Sequence, residues 1–283
     1  MNGPDILVRS LSVPLRSDAF GNSWQYQPRS DRHSKIACWG ILFDLLTESE
    51  LLRRHVIQGK VIFGVNHEMS DFKTMRKKNL DLVVARPGTT VSGSEAPDFA
   101  TLMSRYGVLL SRDQHTKLMQ LPPLTGGPVG SVLLALEAKA CMTEHMKARP
   151  RLYDELNSSH LTIHGSAEQA IAAGFVMINA SNTFVSPDRN KYPIGPKGPH
   201  VSYHKQPVAT ELVIQKIREM PRRTRAQEEG FDAIGIVVVD CPNNGTPITL
   251  VSRPPAPTPA NDYNYDQMIR RIRQKYEVTF ANI

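Results

Sequence analysis

The sequence predicts an α/β fold, a central mixed β-sheet flanked by helices. Three observations carry this. Apolar runs of strand length recur at VIFGV (61–65), LDLVVARP (80–87), SVLLALEAKAC (131–141), GFVMINA (174–180) and AIGIVVVD (233–240). Segments with helical spacing separate them. A chain of 283 residues, 40% of them hydrophobic, has enough apolar surface for a substantial core.

Residues 1–35 are polar and irregular, without a sustained period, and read as an N-terminal arm or edge element. From Thr47 the run TESELLRRHVIQG carries a capping-box pattern, Thr47 with Glu50 three positions on, and then Leu51, Leu52 and Val56 at helical spacing. This predicts a helix ending near Gly59, followed by the strands at 61–65 and 80–87. Turn-formers bound the stretch 88–130, which reads as an insertion with a helix between about Ala96 and Tyr106.

The run 131–141 is the clearest strand. After it comes a charged, partly helical segment in which Pro150 is expected to break or begin a helix. A short helix over AEQAIAA (167–173), the strand at 174–180, a Pro/Gly-rich loop from Ser186 to Pro207, a helix near 208–219, the strand at 233–240 and a last helix around 263–277 complete the order. The domain reading is an arm (1–35) and a single domain (36–283), with a core at about 47–180, the insertion at 88–130 and a C-terminal extension at 181–283.

The formal charge of +7 points to a polyanionic partner, because lysines and arginines that neutralise phosphates release condensed counterions. No apolar run approaches membrane-spanning length, which implies no membrane and an intracellular, cytoplasmic protein. Cys38, Cys141 and Cys241 lack metal-site or disulfide spacing and read as reduced, buried thiols.

Acidic-x-Lys triplets are cheap: composition alone gives about one by chance. Two occur, Asp71-Phe72-Lys73 and Glu137-Ala138-Lys139. The first sits in a polar stretch that reads as a solvated face. The second closes an apolar strand, where a period of two puts Glu137 and Lys139 on one face and Leu136 and Ala138 on the other. Two charges there need water, a partner or a metal. Asp81 likewise interrupts an apolar strand, and on a neighbouring strand its carboxylate would meet that of Glu137. Such a pair repels unless a cation intervenes.

With Asp81 in LDLVV and Glu137-Ala138-Lys139 in LLALEAKA, the sequence resembles the PD-(D/E)xK nuclease superfamily, which includes type II restriction endonucleases. The order helix, strand, strand with Asp, strand with ExK, helix, strand over about 47–180 is similar to that family's core. The resemblance implies a restriction-endonuclease-like core and Mg2+-dependent hydrolysis of DNA phosphodiesters, with Mn2+ able to substitute, by a restriction enzyme or related prokaryotic defence nuclease. It implies double-stranded DNA as partner and a homodimer with one site per strand.

On this resemblance Asp81, Glu137 and the backbone carbonyl of Ala138 would hold the metal, with Glu68 or Glu50 as a further ligand. Lys139 would orient or help deprotonate the attacking water and stabilise charge on the phosphate. The departures are the gap of 56 residues between Asp81 and Glu137, which requires an insertion, and a literal Pro97-Asp98 pair that competes for the aspartate role. Asp98 also reads as an N-cap for FATLMSRY, so Asp81 is preferred.

Arg76, Lys77, Lys78, Lys147, Arg149 and Arg151 flank the motif and are the candidate phosphate contacts. Basic clusters at Arg222, Arg223 and Arg225 and at Arg270, Arg271, Arg273 and Lys275 read equally as phosphate contacts or as ordinary solvated charge. The pairs His160/His164 and His200/His204 lack a third ligand at a zinc-site spacing. The alternatives are a nucleic-acid-binding protein on the same fold without catalysis, and a small-molecule enzyme using Asp240 at the end of VVVD.

Overall fold

The computed structural model describes residues 1–72, 74–89, 97–196, 198–225 and 227–283. Helices α1 (Gly3–Leu11), α2 (Arg32–Glu48) and α3 (Glu50–Ile57) precede strands β1 (Ile62–Ser70) and β2 (Lys77–Pro87). Helices α4 (Phe99–Tyr106) and α5 (Arg112–Gln120) then lead into β3 (Val129–Cys141), α6 (His145–Ser166) and β4 (Ile171–Asn179). The chain continues through β5 (Thr183–Val185), β6 (Val201–Tyr203), α7 (Val208–Arg218), β7 (Ala233–Asp240), β8 (Thr249–Leu250) and α8 (Tyr265–Thr279).

The α/β architecture is a six-stranded mixed sheet in the order β1-β2-β3-β4-β7-β8, with β5 and β6 forming a separate ribbon. The first three strands are an antiparallel meander; β3, β4 and β7 run parallel, and β8 returns antiparallel. Alternation along the strands sorts side chains into two cores. Leu134, Leu136 and Ala138 join the core under α2 and α8, with Phe175 and Met177 beside them. Ala135, Val176, Ile178 and Val238 face the other way, toward Leu152 and Leu156 of α6 and Val213 and Ile217 of α7. β4 is buried along its whole length, as a strand covered on both faces must be.

Several local expectations change. Residues 1–35 contain α1, whose Ile6, Leu7 and Leu11 are buried in the main core. Asp44 of α2, fully buried, accepts the amides of Asn2 and Gly3 and the Tyr265 hydroxyl, so one carboxylate both caps α1 and ties α8 to it. A Cβ on Gly3 would lie 1.9 Å from that hydroxyl oxygen, which restricts the position to glycine.

The helix cap expected at Thr47 is Ser49, whose hydroxyl accepts the Leu52 amide, while the Thr47 hydroxyl donates back to Phe43 of α2. Pro150 lies inside a continuous α6 and does not mark a boundary. No helix forms over AEQAIAA: Ile171 already pairs with Leu134, because sheet partners override a seven-residue helical preference. Asp98 caps α4 as read, although Ala96 and Lys73 lie outside the described residues.

Candidate active site

The ladder between β2 and β3 ends at Leu82 and Leu136. Two residues farther along β3, the Ala138 amide is taken by a side chain instead of a strand carbonyl: it donates to Asp81 Oδ2 at 2.9 Å. The other Asp81 oxygen lies 3.6 Å from the ammonium of Lys35, a residue of α2 with only 4% of its side chain exposed. Lys35 also donates to the Asn66 side chain, and Asn66 itself sits in the left-handed region with φ of 52°. The aspartate is thus held where two strands part, between an amide and a buried cation.

Glu137 and Lys139 share the α6 face of β3. The Glu137 side chain is 2% exposed and accepts from the Lys139 ammonium at 2.8 Å, with the Lys78 ammonium at 3.6 Å. Lys139 in turn reaches Glu155 of α6 at 3.2 Å, and Glu155 is clamped from outside by Arg151 at 2.6 Å. Glu137 is therefore buried within the sheet and Lys139, 27% exposed, reaches its surface, so the pair is not solvated beyond the sheet edge.

Burial pushes the Glu137 carboxyl above the ordinary glutamate range; Lys139 opposes this, the nearby Asp81 carboxylate adds to it, and Lys78 opposes it again. Burial pulls the Lys139 ammonium down, but Glu137, Glu155 and Asp81 outweigh it and hold Lys139 above the ordinary lysine range. For Lys78 burial wins, and its pKa is lowered despite Glu137.

These groups lie at or just beneath the floor of a cleft of about 710 Å³, which Asp81, Lys139 and Glu155 line. Its walls come from distant parts of the chain: Arg29 before α2, Lys147 and Arg151 on α6, and Arg189 in the long loop after β5. His33 lines the same cleft, and burial takes it down to about 4 despite the Asp81 carboxylate, so it is neutral at pH 7.

The other sequence candidates are distributed as follows. Glu68 is on the exposed face of β1, paired with Lys77 at 3.0 Å. Glu50 is exposed at the start of α3, beyond the far end of α2 from Lys35, about 20 Å along the helix at 1.5 Å per residue. Neither is drawn to Glu137; the third carboxylate at the site is Glu155. The main-chain group of Ala138 that meets Asp81 is its amide, not its carbonyl. Asp98 is committed to the Thr101 amide as the α4 cap.

Of the basic candidates, Lys78 is drawn inward, donating to Ser158 at 3.0 Å and facing Glu137, so it neutralises the site instead of offering a free contact. Lys147 and Arg151 line the cleft, Arg76 is exposed on the β1–β2 hairpin, and Arg149 is partly buried outside the cleft lining. Lys35, Glu155, Arg29 and Arg189 escaped the sequence reading. Lys35 alone left a trace there, as a cation in an otherwise apolar helix, KIACWGILF.

The remaining polar groups have structural partners. His160 bonds Asn157, His164 donates to the Gly230 carbonyl, and His204 sits between Thr143 and Ser181. Asp71 is buried and accepts the Thr74 hydroxyl, and Asp240 is exposed at the end of β7. The three cysteines are free and buried.

Among the described residues no three His, Cys, Asp or Glu side chains form a preassembled metal cage. The donor set nevertheless fits a hard divalent cation. Glu137 Oε2 is buried and has no hydrogen-bond partner, a costly state that a cation would relieve. Two neighbouring carboxylates with water completing the shell suit Mg2+.

Comparison with protein-family models, curated proteins and solved structures returned no match. Among the described residues no helix is long and apolar enough to cross a membrane.

Proposed function

We propose that the chain is a metal-dependent nuclease of PD-(D/E)xK type, hydrolysing DNA phosphodiesters. The observation that carries this is the convergence of Asp81 with Glu137 and Lys139 where β2 and β3 part, at the floor of a cleft with arginine and lysine on its walls. The order α3, the β1–β2–β3 meander, α6 and a parallel β4 supports the same reading, since it is the order of elements expected around the motif.

Asp81 and Glu137 would hold Mg2+, which when bound lowers the pKa of a coordinated water and offsets charge on the phosphate. Lys139 is ionised at neutral pH, because its carboxylate neighbours hold its proton. It therefore acts as a positive group that orients the water and stabilises charge gathering on the phosphoryl oxygens, not as the base that deprotonates it. Glu155 keeps that ammonium over the floor, while Arg151 holds Glu155 in place. Lys35 fixes Asp81 from behind. Arg29, Lys147 and Arg189 are placed to contact backbone phosphates on either side of the reacting one.

Cleavage by this chemistry leaves 5′-phosphates. Two copies, one per strand, would cut a duplex, in keeping with a restriction or other prokaryotic defence nuclease. The test is supercoiled plasmid and end-labelled duplex incubated with Mg2+, Mn2+ or EDTA. Nicked or linear products with 5′-phosphate ends, absent in EDTA, are expected. Binding without cleavage in either metal would instead favour a non-catalytic nucleic-acid-binding protein.

A further inference from the structure

Beside the carboxylate floor a second hollow of about 330 Å³ opens between the segment that enters α2 and the end of α4. Tyr26, Ser30, Asp31 and His33 line both this hollow and the main cleft, so the two are contiguous. Its volume is at the lower end of the range for small-ligand sites, about 300–1,000 Å³, far too small for a duplex.

The lining combines flat rings with an excess of cations. Trp24, Tyr26 and Tyr106 supply the rings. Two of them are held in place: the Trp24 indole N–H donates to Asp18 at 2.7 Å, and Tyr26 packs on His33 at 5.2 Å between ring centres, its amide donating to Asn243 at 2.9 Å. Arg16, Arg32, Arg105 and Lys35 share the lining with two carboxylates, Asp18 and Asp31, the second of them 3.9 Å from the Lys35 ammonium. Asp18 is already occupied, accepting from Phe20 and Asn22 as well as Trp24. The surplus charge favours an anionic ligand and the rings favour a planar one. Lys35 joins the two compartments, since it lines this hollow and its ammonium is the one facing Asp81.

We infer that the hollow receives a single unpaired nucleotide of the strand being cut, its base against Trp24, Tyr26 and Tyr106 and its phosphate toward Arg16 and Arg105. The choice of ligand rests on the nuclease reading. Base stacking on aromatic walls tolerates any base, so the hollow selects for an unpaired nucleotide and not for a sequence. A duplex with an unpaired position is then preferred over a fully paired one, because a paired base must first leave its stack to enter.

The test uses the full chain in EDTA, so that binding is read without cleavage. The probes are a fully paired duplex and the same duplex with one unpaired 2-aminopurine nucleotide, followed by anisotropy and by 2-aminopurine fluorescence. Wild-type protein is expected to bind the unpaired probe roughly tenfold or more tightly, with a change in 2-aminopurine emission as the base stacks on protein. Arg16→Glu/Arg105→Glu, two exposed positions, and separately Tyr106→Leu should each bring the ratio of affinities toward one. Equal affinity for the two probes, or a ratio that neither variant moves, overturns the inference. Cleavage without preference for unpaired positions refutes the hollow and keeps the nuclease. Selective binding with no cleavage in Mg2+ or Mn2+ does the reverse.

Discussion

The Asp81 carboxylate takes the place of a strand carbonyl as acceptor for the Ala138 amide, at 2.9 Å. A backbone amide inside a sheet needs an acceptor, and here the side chain supplies it at the point where the β2–β3 ladder stops. The same aspartate therefore has a structural duty to the strand that carries Glu137 and Lys139 and a chemical duty to the cleft.

Those duties separate by substitution. Asp81→Asn keeps an oxygen acceptor for Ala138 and removes the charge, so folding should hold while Mg2+-dependent cleavage disappears. Asp81→Ala removes the acceptor as well and should cost a further 1–3 kcal/mol, roughly the penalty of an unsatisfied buried amide. Denaturant unfolding of both variants checks this; equal stabilities would show that the bond contributes nothing.

Glu137→Gln removes a proposed metal oxygen and a buried charge together. Cleavage should fall by about two orders of magnitude or more, since losing even a group behind a metal ligand costs roughly 10- to 100-fold. Stability should be unchanged or higher. Lys139→Met should lower kcat by about 100-fold or more, as loss of a donor to developing phosphate charge does. Supercoiled-plasmid kinetics measure both, and activity near wild type in either variant would remove that residue from the mechanism.

Metal affinity should depend on pH in a particular direction. Glu137 binds a cation as carboxylate, and burial, with Asp81 beside it, holds its pKa above the ordinary 4.5. As pH falls, protons should therefore displace Mg2+ at a pH higher than a free glutamate would allow. Mg2+ titrations at a series of pH values read this, and an affinity unchanged down to pH 4.5 would contradict it.

His160 and His164 link pH to folding. Burial lowers both to about 4, with neighbouring positive charge adding to the effect. The unfolded chain binds these protons near 6.5 and the folded chain does not until about 4. Stability is thus greatest above 6.5 and declines as pH drops through that window. Melting temperature should fall between pH 7 and pH 4, and His160→Asn should flatten part of the decline. A profile identical to wild type would assign the acid sensitivity elsewhere.

Asp44 makes a prediction remote from the cleft. Replacing it with alanine orphans the Asn2 and Gly3 amides and the Tyr265 hydroxyl, and should destabilise the protein by about 3 kcal/mol or more. Hydrogen exchange should then show α1 loosened before the sheet. Unchanged protection of residues 3–11 would refute the tie.

Strand identity was largely legible because alternation is a local property. Leu136 and Ala138 had to face one way and Glu137 and Lys139 the other, whatever lay around them; the first two join the core under α2, while Glu137 meets Lys78 and Lys139 meets Glu155 of α6. Helix caps were less legible: Ser49 and Thr47 differ only in where the chain turns, which packing of α3 decides. The segment 167–173 misled because a helical composition, AEQAIAA, was paired to β3 by the sheet.

The sequence by itself determined the α/β class, the one-faced Glu137/Lys139 pair and the candidacy of Asp81, all of which follow from short-range period and residue type. Only the tertiary structure decided that Asp81 and not Asp98 meets β3 next to Glu137, at the Ala138 amide, that Glu155 and not Glu68 or Glu50 is the carboxylate paired with Lys139, that Lys35 backs Asp81, and that Arg29 and Arg189 line the cleft. The reason is physical. Period fixes which face a side chain takes within its own strand, but the meeting of charges from α2, β2, β3 and α6 is set by strand register and helix packing, which depend on contacts between residues far apart in the chain.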